Sequence, residues 1–311
     1  LYSFKIMRAI VVGMGVQGTK RKKYLGKDFV FSVDKFKNAD YKTIFDVPLE
    51  AYDAVLLCVP DNKKIKIINY CIKNKKHILV EKPLFLESSK DLFYLNKYAN
   101  KNKVILYTAY NHRFEPILLK LNKLIKKKTL GKIYKCKMFY GNGTSYLVKK
   151  SRWRDKGLGV ISDIGSHLLD LCIFYFGKKI KKLKVIEKNK FENKAPDHAI
   201  ISLEINKILI ELEMTLCMWK NTFTCDVLAS KGSVHLNSLC KWGKNTLIYR
   251  KRKFPSGKPL EKKISFKQKD PTWKLEYLFF KNLIKNKQKT ILEKDLILNR
   301  IFLKIKNSHI V

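Results

Sequence analysis

Lys82 is the first residue whose position suggests acid–base chemistry. It directly follows the apolar run 77–80 and precedes Pro83. A lysine in a partly dry cleft at a strand end can have its pKa lowered and exchange a proton with a substrate hydroxyl. The alternative is an ordinary surface lysine in a lysine-rich chain. We favour a catalytic role, because a buried strand immediately before Lys82 would place it at a ligand-binding sheet edge.

A second set of such side chains is Asp163, His167 and Asp170. Their spacing of four and then three residues places all three on one face of a helix predicted at 161–176. An imidazole there can take a proton from an alcohol, and a carboxylate one turn away can orient it or bind substrate. A polar stripe packed against another helix is the alternative. Two carboxylates and one histidine on a single helix are a weak metal-ligand set, so we predict no metal site.

A glycine-rich turn near the N-terminus predicts a dinucleotide site. Gly13, Gly15 and Gly18 stand in the pattern G-x-G-x-x-G, after an apolar strand at 7–12 and before a helix at 19–25. The first glycine permits the tight turn, the second lets the backbone approach a pyrophosphate, and the third lets helix and strand pack closely. The helix N-terminus would then face the phosphates.

Asp34 bears on which dinucleotide binds. It ends a second apolar strand at 29–33 and lies 21 residues after Gly13, close to the spacing expected for an acid that binds the adenosine ribose. A carboxylate there accepts hydrogen bonds from a 2′-hydroxyl and repels a 2′-phosphate, so we predict NAD. The neighbouring Lys35 and Lys37 can partly offset its charge and leave NADP open.

Length and composition fit two cytoplasmic domains. The chain has 311 residues, 46% of them hydrophobic, and no apolar run reaches the roughly 18 residues of a membrane span. No secretory signal is visible. An odd, dispersed set of cysteines is typical of reduced thiols in a cytoplasmic protein and gives no zinc pattern. The cysteines are Cys58, Cys71, Cys136, Cys172, Cys217, Cys225 and Cys240.

The net charge of +40 would ordinarily suggest a nucleic-acid or membrane partner. Here the charge is nearly all lysine, is spread along the whole chain, and falls within plausible amphipathic elements. We therefore predict no specific nucleic-acid partner. The same charge would still attract an anionic substrate, such as a nucleotide-linked sugar.

The order of elements predicts an α/β protein with two domains. Up to about residue 110, strands alternate with helices, which indicates a parallel, doubly wound sheet. Beyond about residue 115, runs of strands and a few helices indicate an α+β domain with an open, largely antiparallel or mixed sheet. We place a Rossmann domain at 1–112 and a substrate-binding and oligomerisation domain at 113–311, and leave open that the C-terminal helix packs back on the first.

Several motifs together resemble one known family. Glu81-Lys82-Pro83, Asn111-His112-Arg113-Phe114 and the run 163–170, D-I-G-S-H-L-L-D, follow the glycine turn in the order and spacing of the glucose–fructose oxidoreductase, inositol dehydrogenase and rhizopine-catabolism (Gfo/Idh/MocA) family. The resemblance covers nearly the whole chain, including Trp153-Arg154.

The resemblance implies roles for individual residues. Lys82, Asp163 and His167 would form the catalytic trio, and Lys82–Pro83 would be a cis peptide bond. The open sheet would form the interface of a homo-oligomer, a dimer or a tetramer. Substrate would contact Asn111, Arg113, Arg154, Asp163 and His167. The cofactor would contact Gly13, Gly15, Val16, Gln17, Gly18, Asp34, Val59, Pro60, Glu81 and Lys82.

The sequence departs from the family pattern in three places. The usual T-P-N-x-x-H reads V-P-D-N-K-K from Val59 to Lys64, so the His near the nicotinamide is missing. The usual G-G-G before the aspartate reads G-L-G at 157–159. The chain is also short for the family, which predicts trimmed loops in the substrate domain.

We therefore expect an NAD(P)-dependent oxidoreductase that acts on a secondary alcohol or ketone of a carbohydrate. A nucleotide-activated sugar in surface-polysaccharide synthesis is the preferred substrate. A free sugar, polyol or inositol is the enzymatic alternative. A non-catalytic dinucleotide-binding sensor, or a redox-assisted lyase that retains its NAD, stays open as well.

Overall fold

The computed structural model describes residues 7–151 and 153–307. Within this part of the chain, two compact units are distinguished. One comprises 7–111 together with 273–299, and the other comprises 112–272 together with 300–307. Each unit is built around its own β-sheet.

The first unit contains a parallel sheet, as the alternation of elements predicted. Its strands lie in the order β2-β1-β3-β4-β5, and all of the pairings are parallel. The strands are β1 (Ala9–Val12), β2 (Phe29–Val33), β3 (Ala54–Leu57), β4 (His77–Glu81) and β5 (Leu106–Ala109). The helices that alternate with them are α1 (Val16–Leu25), α2 (Asp61–Lys73) and α3 (Ser89–Lys101).

Helices cover both faces of this sheet, which explains why its central strands are apolar throughout. Ile10 of β1 belongs to one core, shared with Ile68 of α2. The next residue, Val11, points to the opposite core, which contains Leu25 of α1 and Phe280 from the later segment 273–299. Successive side chains of a strand alternate between faces, so a doubly wound sheet needs no polar face.

The segment 273–299 is joined to this unit by buried charges. Arg21 of α1 is only 3% exposed, and its guanidinium lies 2.7 Å from the carboxylates of both Glu81 and Glu276. Asp28 is likewise buried and accepts hydrogen bonds from Tyr277 (2.7 Å) and Lys281 (2.5 Å). Each of these charges therefore has its partner in a part of the sequence about 250 residues away.

The second unit has a mixed sheet in the order β13-β12-β11-β10-β6-β9-β8-β7. Within this sheet, as far as the structure describes it, β6–β9 is the only parallel pairing, which confirms the predicted open, largely antiparallel sheet. The strands are β6 (Ile133–Gly141), β7 (Ile180–Asn189), β8 (His198–Ile205), β9 (Ile208–Thr215), β10 (Thr222–Ala229), β11 (Gly232–Asn237), β12 (Asn245–Lys251) and β13 (Leu260–Phe266). The helices that pack on it are α4 (Pro116–Lys126), α6 (Val160–Asp163) and α7 (Gly165–Phe176), and α5 (Ser145–Lys149) is a short turn.

The helix predicted at 161–176 is interrupted at Ile164, so Asp163 ends α6 whereas His167 and Asp170 belong to α7. The interruption has a local cause. The Ser166 hydroxyl donates to the Asp163 carbonyl at 2.7 Å, and the His167 N–H bonds the Ile164 carbonyl instead. Gly165 leaves room for Met214 here, because a Cβ would stand 2.4 Å from its sulfur.

Two further helices complete the chain, α8 (Thr272–Lys285) and α9 (Glu293–Asn307). A bilayer span would need a longer and more apolar helix than any that the described residues form.

Candidate functional site

The glycine turn after β1 leaves room for a diphosphate. Gly13 has a φ of +94°, and a Cβ on it would meet the Cys58 carbonyl oxygen at 2.5 Å, so the turn packs directly on the end of β3. A Cβ on Gly18 would stand 1.8 Å from the Gly13 oxygen. By contrast, a Cβ on Gly15 would meet no atom within 4 Å. The helix N-terminus at Val16 and Gln17 borders this open space, as a phosphate site requires.

Asp34 lies against the same turn. One of its carboxylate oxygens accepts the Met14 N–H at 2.6 Å, and the other accepts the N–H groups of Phe36 and Lys37 at 2.8 and 2.9 Å. Partial burial works to raise the pKa of Asp34, but these three backbone hydrogen bonds outweigh it and lower the pKa below its ordinary value. The group is therefore a fixed anion beside the glycine turn.

Val59 and Pro60 follow β3 on the same side of the sheet, and α2 begins directly after Pro60. Val59 borders the glycine turn, since a Cβ on Gly13 would also stand 3.2 Å from a Val59 methyl group. This placement is compatible with the predicted cofactor contact. That contact stays a prediction.

Lys82 follows β4, and its bond to Pro83 is cis, as the resemblance implied. The Glu81 carboxylate accepts hydrogen bonds from Arg21 of α1, with both Nε and Nη2 2.7 Å from Oε1. The predicted cofactor contact of Glu81 stays a prediction. The carbonyl oxygens on either side of Lys82 are held by one side chain. The Lys64 ammonium donates to Glu81 O at 2.6 Å and to Pro83 O at 2.8 Å.

Lys64 is a residue that sequence reasoning missed. It is 3% exposed, and its ammonium also pairs with Asp61 at 2.6 Å. It occupies the last position of the run V-P-D-N-K-K, where the family pattern has the missing histidine. That departure was the available signal, because a cation in place of an imidazole has three N–H donors to satisfy and no acceptor.

In the second unit, His167 of α7 is brought against His112, and their ring centroids are 4.0 Å apart. His112 belongs to the short 3₁₀ helix Asn111–Phe114, which also contains the predicted substrate residue Asn111, itself buried. Lys241 completes this cluster, with Nζ 3.2 Å from His112 Nε2 and 3.0 Å from the Tyr140 hydroxyl. Sequence reasoning identified His167 alone in this cluster.

The remaining predicted substrate residues form ion pairs. Arg154 binds Asp163 through Nη2 at 2.7 Å. Arg113 binds Asp170 through two hydrogen bonds of 2.7 and 2.8 Å. Asp170 is thus held by Arg113, whereas its spacing had suggested that it could orient His167. The bidentate contact fixes the position of the Asp170 carboxylate.

Glu115, Cys240 and Asp270 bring three ligand-type atoms within 4.8 Å of one another. The Cys240 thiol and N–H both donate to Glu115, at 2.9 and 3.1 Å, and Asn245 donates to it at 3.0 Å. Burial raises the pKa of the Cys240 thiol, and the hydrogen bond to Glu115 raises it further. A protonated thiol that donates to a carboxylate explains the cluster as a hydrogen-bond network. The absence of a metal site stays a prediction. All seven cysteines are free thiols.

Comparison with known proteins covers both units. Residues 7–110 match the sequence model described as "Oxidoreductase family, NAD-binding Rossmann fold", and residues 118–235 match "GFO/IDH/MocA C-terminal domain". Among curated proteins, the chain is similar to myo-inositol 2-dehydrogenase of Thermotoga maritima, 28% identical over 131 residues, which is 42% of this chain and 38% of that protein. The matched part therefore spans well under half the length of this relative.

Two solved structures share the fold. UDP-N-acetylglucosamine 3-dehydrogenase GnnA from Acidithiobacillus ferrooxidans superposes with a TM-score of 0.77 at 16% identity, covering 96% of this chain and 95% of that one. Levoglucosan dehydrogenase, in complex with NADH and levoglucosan, superposes with a TM-score of 0.80 at 14% identity, covering 96% of each chain. The two family models together span most of the sequence, so the chain belongs to the Gfo/Idh/MocA oxidoreductase family, with an NAD-binding Rossmann domain at its N-terminal end.

Proposed function

We propose that this protein is an NAD-dependent dehydrogenase that interconverts a secondary alcohol and a ketone of a carbohydrate. The observation that carries the proposal is the fixed position of Lys82, whose two flanking carbonyls are both held by the buried ammonium of Lys64. A lysine that serves only solubility would not need its backbone fixed in this way. An acid–base group does, because proton transfer requires hydrogen-bond distance and alignment.

The first unit supplies the residues that would hold the dinucleotide. The open space beside Gly15 and the helix N-terminus at Val16 and Gln17 suit the diphosphate, and Asp34 suits the ribose hydroxyls. When bound, the dinucleotide supplies the hydride-transferring nicotinamide. Asp34 is ionised at neutral pH and repels a 2′-phosphate, which supports NAD over NADP.

We assign the hydroxyl proton of the substrate to Lys82 or His167. Asp163 would hold the substrate or tune its neighbours. Arg154 donates a hydrogen bond to Asp163 at 2.7 Å, and both side chains are about 30% exposed, so a substrate hydroxyl can reach either group. Arg113 and Asn111 are further substrate-side candidates.

We propose a nucleotide-activated sugar as the substrate, used in surface-polysaccharide synthesis. Support comes from the net charge of +40, which favours an anionic ligand, and from the fold shared with a UDP-N-acetylglucosamine dehydrogenase. A free sugar, polyol or inositol is the second candidate, supported by the similarity to an inositol dehydrogenase. We further propose a cytoplasmic homo-oligomer, a dimer or tetramer formed through the open face of the eight-stranded sheet.

The test is nicotinamide absorbance with purified protein and panels of nucleotide sugars, free sugars and polyols, each with NAD and NADP. We expect turnover of one nucleotide sugar with NAD. Lys82→Met and His167→Ala are expected to abolish turnover and spare NAD binding measured by calorimetry, whereas Lys90→Met, at an exposed position in α3, leaves both unchanged. Full turnover by both site variants would refute the assigned site.

NAD binding without net absorbance change would favour the other hypotheses. Product analysis by mass spectrometry then separates them. A cleaved or dehydrated sugar indicates a lyase that retains its NAD, and an unchanged panel indicates a non-catalytic sensor.

A further inference from the structure

A cluster of four side chains in the second unit sets the charge state beside His167. His112 and His167 are 2% and 9% exposed, and their rings are in contact, with centroids 4.0 Å apart and an interplanar angle of 45°. Lys241 approaches His112 from the 3₁₀ helix Cys240–Trp242, and Tyr140 of β6 accepts a second hydrogen bond from the same ammonium at 3.0 Å. The cation also lies 4.5 Å from the ring centroid of Trp242.

The contact between Lys241 and His112 fixes the tautomer of His112. An ammonium group has three donors and no acceptor, so at 3.2 Å from Nζ the His112 Nε2 must be the acceptor. His112 therefore carries its proton on Nδ1 and is neutral. A second proton, on Nε2, would place an imidazolium N–H against the ammonium, and a neighbouring like charge disfavours that form.

The positive charge of Lys241 is only partly offset by its surroundings, since Glu115 acts on it electrostatically from beyond ion-pair distance. Several charged groups on α7 and on the elements near it form pairs with a charged side chain or with a ring. They are Arg113 with Asp170, Arg154 with Asp163, Lys137 with Glu213, and Lys126 with the ring of Phe174. Lys241 itself has no carboxylate within 4.0 Å among residues 7–151 and 153–307. Glu115 lies beyond that distance and accepts hydrogen bonds from Cys240 and Asn245.

We infer that Lys241 is a positioning residue that keeps His112 neutral and thereby reserves the exchangeable proton of the His112–His167 pair for His167. Two imidazoles at this distance disfavour double protonation, so the pair takes up one proton at a time. With Lys241 against His112, that proton resides on His167. This inference rests on the proposed function, in which His167 can serve as the acid–base group for the substrate hydroxyl.

The experiment is long-range ¹H–¹⁵N NMR of the histidine side chains, which reports tautomer and protonation without any turnover. His112→Gln assigns the His112 signals. We expect the wild-type protein to show His112 as the Nδ1–H tautomer, neutral from about pH 8 to about pH 5. In Lys241→Met, we expect His112 to titrate at a pH higher by about one unit or more, because an adjacent positive charge has been removed.

Three further variants separate this effect from a general one. Lys241→Arg keeps the charge and is expected to keep His112 neutral. Lys244→Met removes the same charge at an exposed position and is expected to change nothing. Tyr140→Phe removes the second acceptor of the ammonium and is expected to shift His112 less than Lys241→Met does.

The outcomes are distinguishable from a failure of the proposed function. An Nε2–H tautomer in wild type, or an unchanged His112 titration in Lys241→Met, would overturn the inference even in an active enzyme. A protein without dehydrogenase activity would leave the NMR result intact and reject only the assigned reaction. Where turnover is found, the acid limb of kcat/KM is expected to move to higher pH in Lys241→Met and to stay in place in Lys244→Met.

Discussion

Replacement of Lys64 by methionine tests whether the buried ammonium fixes the segment around Lys82. Methionine keeps the length and most of the volume of the side chain but has no N–H donor. The variant therefore leaves the carbonyl oxygens of Glu81 and Pro83 without the donor that reaches them at 2.6 and 2.8 Å. Asp61 loses its ion-pair partner as well.

The expected cost follows from the burial of each group. A hydrogen bond from a charged donor contributes about 1.5–3 kcal/mol, and two are lost here. The ion pair adds little, since Asp61 is 45% exposed and exposed pairs contribute about 0–1 kcal/mol. The variant no longer has to bury an ammonium, which returns part of the cost. We expect a net loss of about 3 kcal/mol and a fall of about 6–12 °C in the unfolding midpoint of the first unit.

The assay is thermal unfolding followed by circular dichroism, with NAD titration and turnover measured on the same samples. Lys63→Met is the matched control, because it removes the same charge from the preceding, exposed position. We expect kcat to fall at least about tenfold in Lys64→Met while NAD affinity changes less, since Lys82 loses its anchors and the glycine turn keeps its own. A Lys64→Met protein that unfolds within about 1 °C of Lys63→Met would refute the reasoning.

Four other perturbations concern residues of the same unit. Gly18→Ala, whose Cβ would stand 1.8 Å from the Gly13 oxygen, is expected to lose about 1–3 kcal/mol of stability along with NAD binding. Gly15→Ala meets open space and should weaken NAD binding in calorimetry with its unfolding midpoint unchanged; equal destabilisation of the two would contradict this. Asp34→Ser is expected to lower the ratio of the NADP dissociation constant to the NAD dissociation constant at least about tenfold. The reason is that the lowered pKa of Asp34 keeps an anion there at neutral pH in the wild type. An unchanged ratio would show that another group selects the cofactor. Burial lowers the pKa of His77, whose Nδ1 accepts the backbone N–H of Ile105 at 3.0 Å. The folded protein therefore favours neutral His77 over the protonated form. Stability from His77 is therefore complete above its unfolded pKa of about 6.5 and lost as pH falls toward the folded pKa; His77→Asn should reduce the difference in unfolding midpoint between about pH 7.5 and about pH 5.5, and an unaltered difference would count against it.

The parallel sheet was predictable because its signals are local. Runs such as 9–12 and 29–33 are mostly apolar and β-branched, as expected of strands that are buried on both faces. Each run is followed by a turn or by the start of a helix. The strand β13 (Leu260–Phe266) was missed for the opposite reason. It reads L-E-K-K-I-S-F, mostly exposed, and a charged edge strand has no alternation that distinguishes it from a loop.

For the candidate site, the sequence predicted individual residues but not the contacts that hold them in place. Lys82 and His167 stand out by their place in a motif. The contacts that fix them join distant residues, such as Lys241 with His112 across 129 positions, and nothing in either local sequence indicates the other. Lys64 belongs to an amphipathic helix, where a lysine is ordinarily solvated, so its burial depends on the tertiary packing of β4 beside α2.

The buried charges of Arg21 and Asp28 have a consequence for the order of synthesis. Their partners Glu276, Tyr277 and Lys281 are made some 250 residues later. A chain emerging from the ribosome contains all five strands of the parallel sheet long before it contains the helix whose side chains pair with Arg21 and Asp28. The dinucleotide unit therefore reaches its final state after nearly all of the other unit has been made, and a fragment cut at residue 111 would have the motif for NAD without the segment that completes its core.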